Sequence, residues 1–140
     1  MDKVILTKSL LNPDRLATGL QRDDAGAVVN FSGTVRAETQ GERQLVALDY
    51  EAYEEMALEQ MKSIRQRAIE NMKALDVVIA HRLGRLKLGE VSIFVAVFAA
   101  HRAEGFEACR WIVDQVKTDV PIWKKDVWSD GTEAWVNPAK

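Results

Sequence analysis

The segment VSIFVAVFAA, residues 91–100, constrains the fold more than any other stretch of the chain. It is apolar almost without interruption and rich in β-branched side chains, which suits a strand buried on both faces. It is also well short of the roughly 20 apolar residues that a membrane-spanning helix needs. A chain of 140 residues with 47% hydrophobic composition can bury one sizeable core around such a strand, but does not divide comfortably into two. One domain spanning residues 1–140 is expected.

The rest of the chain supplies the elements that would pack on that strand. KVILT reads as a first strand, and in NPDRLATGLQR Asn12 can cap a short helix with Pro13 at its first position. In GAVVNFSGTVR the residues Val29, Phe31, Gly33 and Val35 alternate with Val28, Asn30, Ser32 and Thr34, the period-two pattern of a half-buried strand. AETQGER is a polar loop, and QLVALDYEAY resumes an extended pattern. From Tyr53 onward Ala57, Met61, Ile64, Ala68 and Met72 recur at steps of three and four, one stripe of a long helix. LDVVIAHRLGRLKLGE gives a further strand and a glycine-bracketed turn. After HRAEG a second amphipathic helix turns Phe106, Cys109, Ile112, Val113 and Val116 toward the core, until Pro121 forbids its continuation. VWSDGTEAWV sets two extended pieces around Asp130-Gly131, a hairpin signal. Three helical segments among hairpin-forming strands predict an α+β fold with a mixed, mostly antiparallel sheet.

Charge narrows the partners. Nineteen basic against 21 acidic side chains give a net charge of -2, so no global positive field attracts DNA or RNA, and any anion site must be local. The lone cysteine, Cys109, has no disulfide partner within the chain and no companion at metal-ligand spacing; it reads as a small core residue in a reducing compartment, with the cytoplasm as the default. Walker loop, GxGxxG, GxSxG and HExxH motifs are all missing, which argues against a nucleotide site of the usual kind, an α/β-hydrolase and a zincin.

Cations that are not simply on solvent-facing turns collect at a few places: Arg36 at a strand end, His81-Arg82, His101-Arg102 just past the most buried strand, and the lysines of VKTDVPIWKKDVW. Lys117 lies one turn after Val113, about 40° away around the helix axis, and so borders the apolar face. Such a lysine either extends its ammonium to water or stays partly desolvated, the state suited to proton transfer or nucleophilic attack. If the segment after Pro121 is extended, Lys124 and Lys125 point to opposite faces, and Lys124 is the better candidate for a pocket because Trp123 shares the side of Lys125. His81 sits in an apolar strand pattern and reads as a hydrogen-bonded structural histidine, while His101 is open between a structural and a binding role. A small pocket of Arg, His and Lys suits an anionic small molecule, with phosphate the natural candidate.

FSGTVR, LDYEAYEEMA, HRLGRLKLGE, AAHRAEGFEACRWIVDQVK and PIWKKD, in this order and followed by WV, resemble the large, catalytic subunits of molybdopterin synthase from about Gly26 to Val136. The resemblance implies a hammerhead-type α+β subunit that forms a homodimer. It implies that this dimer binds two copies of a small ubiquitin-like sulfur carrier, giving a heterotetramer. It implies that the carrier's Gly-Gly tail, ending in a thiocarboxylate, enters a pocket and that two sulfurs pass in turn to cyclic pyranopterin monophosphate, without a metal or organic cofactor. Carried over by motif, Lys117 and Lys124 are the active-site lysines, Arg36, His101 and Arg102 bind substrate or anion, and Phe31 is a pocket-side aromatic, although the alternation of its strand places it in the core. Asp126 stands where the family usually carries Glu, and Lys140 lies near a basic residue that often follows WV. From the residues themselves, a noncatalytic module binding an anionic metabolite or a partner's tail remains the competing reading, with Lys117 as the discriminator.

Overall fold

The computed structural model describes residues 2–18 and 22–136. Its elements run β1 (Val4–Thr7), α1 (Pro13–Thr18), β2 (Ala27–Thr34), β3 (Thr39–Gln40), β4 (Arg43–Ala52), α2 (Glu54–Asn71), β5 (Ala74–Arg82), β6 (Gly84–Lys87), β7 (Val91–Ala99), α3 (Arg102–Asp119), β8 (Ile122–Trp128) and β9 (Glu133–Trp135). The expected class is borne out: the fold is α+β, and β1 with β5 is the one parallel pair among the described strands.

The first sheet has the order β1-β5-β7-β2. β7 lies inside it and is buried on both faces, as its continuous apolar run requires. On one face Val77, Ile79, Ile93, Val95 and Val97 pack against the α2 stripe of Ala57, Met61, Ile64 and Ala68 and against Ala108, Cys109, Ile112 and Val116 of α3. On the other, Val78, Ala80, Phe94, Ala96 and Phe98 are covered by Leu11, Leu16, Ala17 and neighbouring side chains. Asn12 caps α1 as expected, its Oδ1 accepting from the Arg15 amide at 3.2 Å. Residues 19–21 of the expected first helix lie outside the described residues, as does Lys140.

A second sheet, β3-β4-β8-β9 with β6 farther along the β3 edge of β4, packs against one end of the first. Leu45, Leu48, Leu86 and Trp128 bury themselves there with Val35, the residue just past β2. Asp76 ties the first sheet to α2: it accepts from Lys3 Nζ at 2.7 Å and Arg65 Nη2 at 2.6 Å. Burial alone would raise the pKa of this carboxyl, yet these donors and the Val77 amide hold it below its ordinary value.

Three local expectations are corrected. Phe106 does not face the core; it is 62% exposed. The reason is Gly105, where α3 comes closest to the sheet: a Cβ there would stand 3.0 Å from Val29 Cγ2. That approach fixes the buried line at Gly105, Ala108, Cys109, Ile112 and Val116, and Phe106 lies about 100° off it. Tyr53 precedes α2 as its N-cap residue rather than joining the stripe, with its ring edge-on to Trp123. The AETQGER loop contains β3, which folds back on β4 around Gly41 at φ 60°.

Candidate functional site

Along β5 the side chains of Val77, Ile79 and His81 fall on one face, the one covered by α2 and α3. His81 ends this row, between Leu6 of β1 and Ile93 of β7. α3 begins just past Ala99 at the end of β7 and packs along β2 and β7, so its last turn lies toward the other end of the sheet, where Ile93 pairs with His81. Lys117 follows Val116 of the main core cluster and is exposed at its edge.

His81 is only 7% exposed. Its Nδ1 lies 2.8 Å from the Arg82 carbonyl oxygen, which can only accept, so Nδ1 carries the proton and Nε2 the lone pair. Burial pushes its pKa down to about 4, the Arg82 carbonyl opposes, and the nearby Lys117 ammonium adds to the fall. His81 is therefore neutral in the fold at pH values where the unfolded chain, with its ordinary pKa near 6.5, takes up a proton. Stability from this group is full above about pH 6.5 and is lost as the pH falls toward 4, an effect on the order of 3 kcal/mol. Urea denaturation at about pH 7 and about pH 4 should record that loss, and His81→Gln should remove most of it.

The second sheet brings the other lysine. Tyr50 of β4 lies directly across from Lys124 of β8, and residues so paired project to the same face. The Tyr50 ring meets His81 edge-on, with centroids 5.0 Å apart and planes at 68°. Burial raises the pKa of the Tyr50 phenol; the Ser92 hydroxyl opposes this and the Asp126 carboxylate adds to it. Lys124 is half-buried on this inner face. Lys125 points the other way, where its Nζ pairs with Glu133 at 2.9 Å and stands over the Trp135 ring at 5.0 Å. Beside it Asp49 and Arg85 form a bidentate pair at 2.9 and 2.7 Å. The expected division of the two lysines between opposite faces is what the sheet displays.

Arg36 reaches the same end of the molecule, since Val35 is bonded to Glu90 and Gly89 just ahead of β7. Its side chain is 82% exposed and pairs with Glu38 at 3.2 Å. Glu38 in turn acts on Asp126: burial first, then the Glu38 charge, raises the pKa of that carboxyl, against the pull of Lys124 and Arg43. Tyr50, His81, Lys124 and Asp126 thus lie where the two sheets meet, with Lys117 at the end of α3 and Arg36 just past β2 toward the same end of the molecule.

His101 and Arg102 do not join them within one chain. They begin α3 at the far end of the sheet, where Gly105 packs on Ala27 and Ala99. Fifteen residues of helix separate Arg102 from Lys117, roughly 22 Å along the axis. His101 is 80% exposed and faces Glu104 at 3.6 Å. Phe31 lies midway along β2 across from Val95 and packs against the main core, as its alternation suggested. Sequence reasoning missed Tyr50, because nothing local marks a strand residue as the cross-strand partner of Lys124.

Two surface depressions lie near the start of α2. A depression of about 420 Å³ lined by Tyr53, Glu54, Glu55, Met56 and Glu59 holds no cation. Another of about 490 Å³ reaches Tyr50 from the β6 side, beside Lys8, Asp49 and Trp123. We place the candidate site at the cation cluster, because anion chemistry needs the charges and an isolated subunit can be completed by a partner. Among the described residues no three His, Cys, Asp or Glu side chains gather as metal ligands, and no helix is long and apolar enough to cross a membrane.

The family model for the MoaE protein matches residues 6–119. The molybdopterin synthase catalytic subunit of Thermoplasma volcanium is 43% identical over 132 residues, 94% of this chain and 96% of that one. The crystal structure of molybdopterin synthase from Staphylococcus aureus matches at a TM-score of 0.91 and 29% identity, over 98% of both chains. A complex of subunits 1 and 2 of molybdopterin-converting factor from Helicobacter pylori 26695 shares the fold, at a TM-score of 0.79 and 19% identity over 97% of this chain and 91% of that one. A family match over most of the sequence and a relative of that identity along nearly all of both chains lead to one conclusion: the chain belongs to the MoaE protein family, that of the molybdopterin synthase catalytic subunits.

Proposed function

We propose that the chain is a sulfurtransferase that moves two sulfurs, one at a time, from the C-terminal thiocarboxylate of a small ubiquitin-like carrier to cyclic pyranopterin monophosphate, forming the molybdopterin dithiolene. The observation that carries this reading is the convergence of Lys117 and Lys124, from α3 and β8, on one end of the fold beside Arg36. In this reading Lys117 serves as acid, base or transient nucleophile at the thiocarboxylate carbonyl. Lys124 stabilises the negative charge that develops there. Arg36 gives up Glu38 to hold the substrate phosphate in bidentate fashion.

His101 and Arg102 belong to the same anion site only if a second copy of the chain supplies them, given the length of α3 between them and Lys117. A homodimer with one carrier at each pocket, the heterotetramer, is the assembly this reading requires. The two-subunit complex from Helicobacter pylori, similar in fold, supports a carrier partner. The cytoplasm is the proposed compartment, consistent with a single cysteine that is buried and whose thiol burial pushes up to about 11.

Mixing the purified chain with thiocarboxylated carrier and cyclic pyranopterin monophosphate should yield molybdopterin. A chain that binds both and yields none is instead a noncatalytic binding module.

A further inference from the structure

We propose that Tyr50 is the positioning residue of Lys124: its ring, held edge-on against His81 of the first sheet, pins the rung of the second sheet that carries Lys124 and walls one side of that lysine's stem. The inference rests on the function proposed above and adds a residue to it.

Three observations carry it. The first is register: Tyr50 of β4 and Lys124 of β8 lie directly across from each other in the antiparallel ladder, so their side chains are packing neighbours on the inner face, with Cβ atoms about 5 Å apart. On its other side Tyr50 is paired with Gly84 of β6, which has no side chain, and a Cβ there would meet nothing within 4 Å. Lys124 is therefore the one side chain directly across a ladder from Tyr50. The second is the contact between sheets: the Tyr50 and His81 rings meet with centroids 5.0 Å apart and planes at 68°, the edge-on geometry that aromatic pairs favour. β5, which carries His81, belongs to the first sheet and β4 to the second, so this contact fixes one sheet on the other at the rung of Lys124. The third is rigidity around the ring. His81 is buried, and its Nδ1–H donates to the Arg82 carbonyl at 2.8 Å, so the surface it offers is fixed. Leu48, two residues before Tyr50 and on the same face, and Leu86 belong to the apolar cluster against which Tyr50 packs.

Lys124 has little else to hold it. Its ammonium makes no ion pair and stands over no aromatic ring among the described residues, whereas its neighbour Lys125 has both, in Glu133 and Trp135. A long side chain without a polar partner is confined only by packing. A rigid ring across the rung removes the stem conformations that lean over β4. That freedom is then lost before the reaction rather than during it, the advantage that orientation confers on a catalytic group.

The test compares two replacements of the ring. Tyr50→Leu keeps an apolar side chain against Leu48 and Leu86 but offers His81 no ring, whereas Tyr50→Phe keeps the ring. With thiocarboxylated carrier and cyclic pyranopterin monophosphate, Tyr50→Leu should lose at least about tenfold in kcat with KM within about twofold. Tyr50→Phe should recover most of that loss. Leu86→Ala, at a fully buried position of the same cluster, is the stability control: at a temperature where every variant is folded, its kcat should stay near that of the unmodified chain. A fully active Tyr50→Leu, equal losses in Tyr50→Leu and Tyr50→Phe, or a loss in Leu86→Ala as large as that in Tyr50→Leu overturns the proposal. Independently of turnover, trace acetylation of the folded protein, read lysine by lysine by mass spectrometry, should find Lys124 reacting faster in Tyr50→Leu and Lys125, on the opposite face, unchanged. A Lys124 rate that Tyr50→Leu leaves unmoved overturns the inference whether or not the protein makes molybdopterin. An unmodified chain that makes none refutes the proposed function, and the acetylation rates then still decide whether Tyr50 positions Lys124.

Discussion

Lys117→Ala should lower the rate of molybdopterin formation by on the order of a thousandfold, the range that a positioned proton-transfer group supplies, while the fold and carrier binding survive. Lys117 is exposed in the last turn of α3 and makes no ion pair among the described residues. Its contribution to stability is the attraction of a cation for a helix C-terminus, about 0.3–1 kcal/mol. The variant's melting temperature should therefore fall by only a few degrees, about 2–4 °C, and a larger fall would point to a structural lysine. Lys124→Ala should also abolish turnover, with one added consequence. Asp126 loses the cation that opposes its burial, so its carboxyl should titrate higher still. Lys125→Ala is the internal comparison: its partners, Glu133 and Trp135, lie on the outer face, and its turnover should stay near that of the unmodified chain. Rates from a product assay and melting curves on the same samples separate these cases.

Phe94→Ala should cost about 3–5 kcal/mol, the usual range for deleting a fully buried aromatic side chain. Phe94 is fully buried on β7, paired with Ala80 of β5 and Ser32 of β2. The small residues around it, Ala80 and Ala96, cannot expand to fill the space that its ring would leave. A shift of the urea midpoint without a change in slope checks this. Phe94 projects away from α2 and α3, toward the face that α1 helps to cover. At a temperature where the variant stays folded, its turnover should therefore fall far less than that of Lys117→Ala.

What the sequence made legible was local. The α2 stripe, the doubly buried β7, the capping of α1 by Asn12 and the β8–β9 hairpin at Asp130-Gly131 each follow from a period, a cap or a turn residue within a few positions. Even the outward turn of Lys125 followed from the two-residue repeat of a strand. Phe106 was misread because the buried line of α3 is set by where Gly105 touches Val29, a tertiary contact with no local sign. Tyr50 went unnoticed because its importance lies in a cross-strand register that pairs it with Lys124. His81, read as a hydrogen-bonded structural histidine, is indeed buried, with its Nδ1 bonded to the Arg82 carbonyl. The motif resemblance grouped His101-Arg102 with the lysines, whereas the length of α3 separates them in one chain. Motifs record which residues serve one site, not how many copies of the chain build it.

The most direct measurement is a structure of the chain with its carrier bound, read at the carrier's last residue. The account predicts the terminal carbonyl within hydrogen-bond reach, about 3 Å, of Lys117 Nζ or Lys124 Nζ, with Tyr50 and His81 beneath it. A tail ending instead in the acidic depression lined by Tyr53, Glu54 and Met56 would contradict the assignment of sulfur transfer to the lysine cluster.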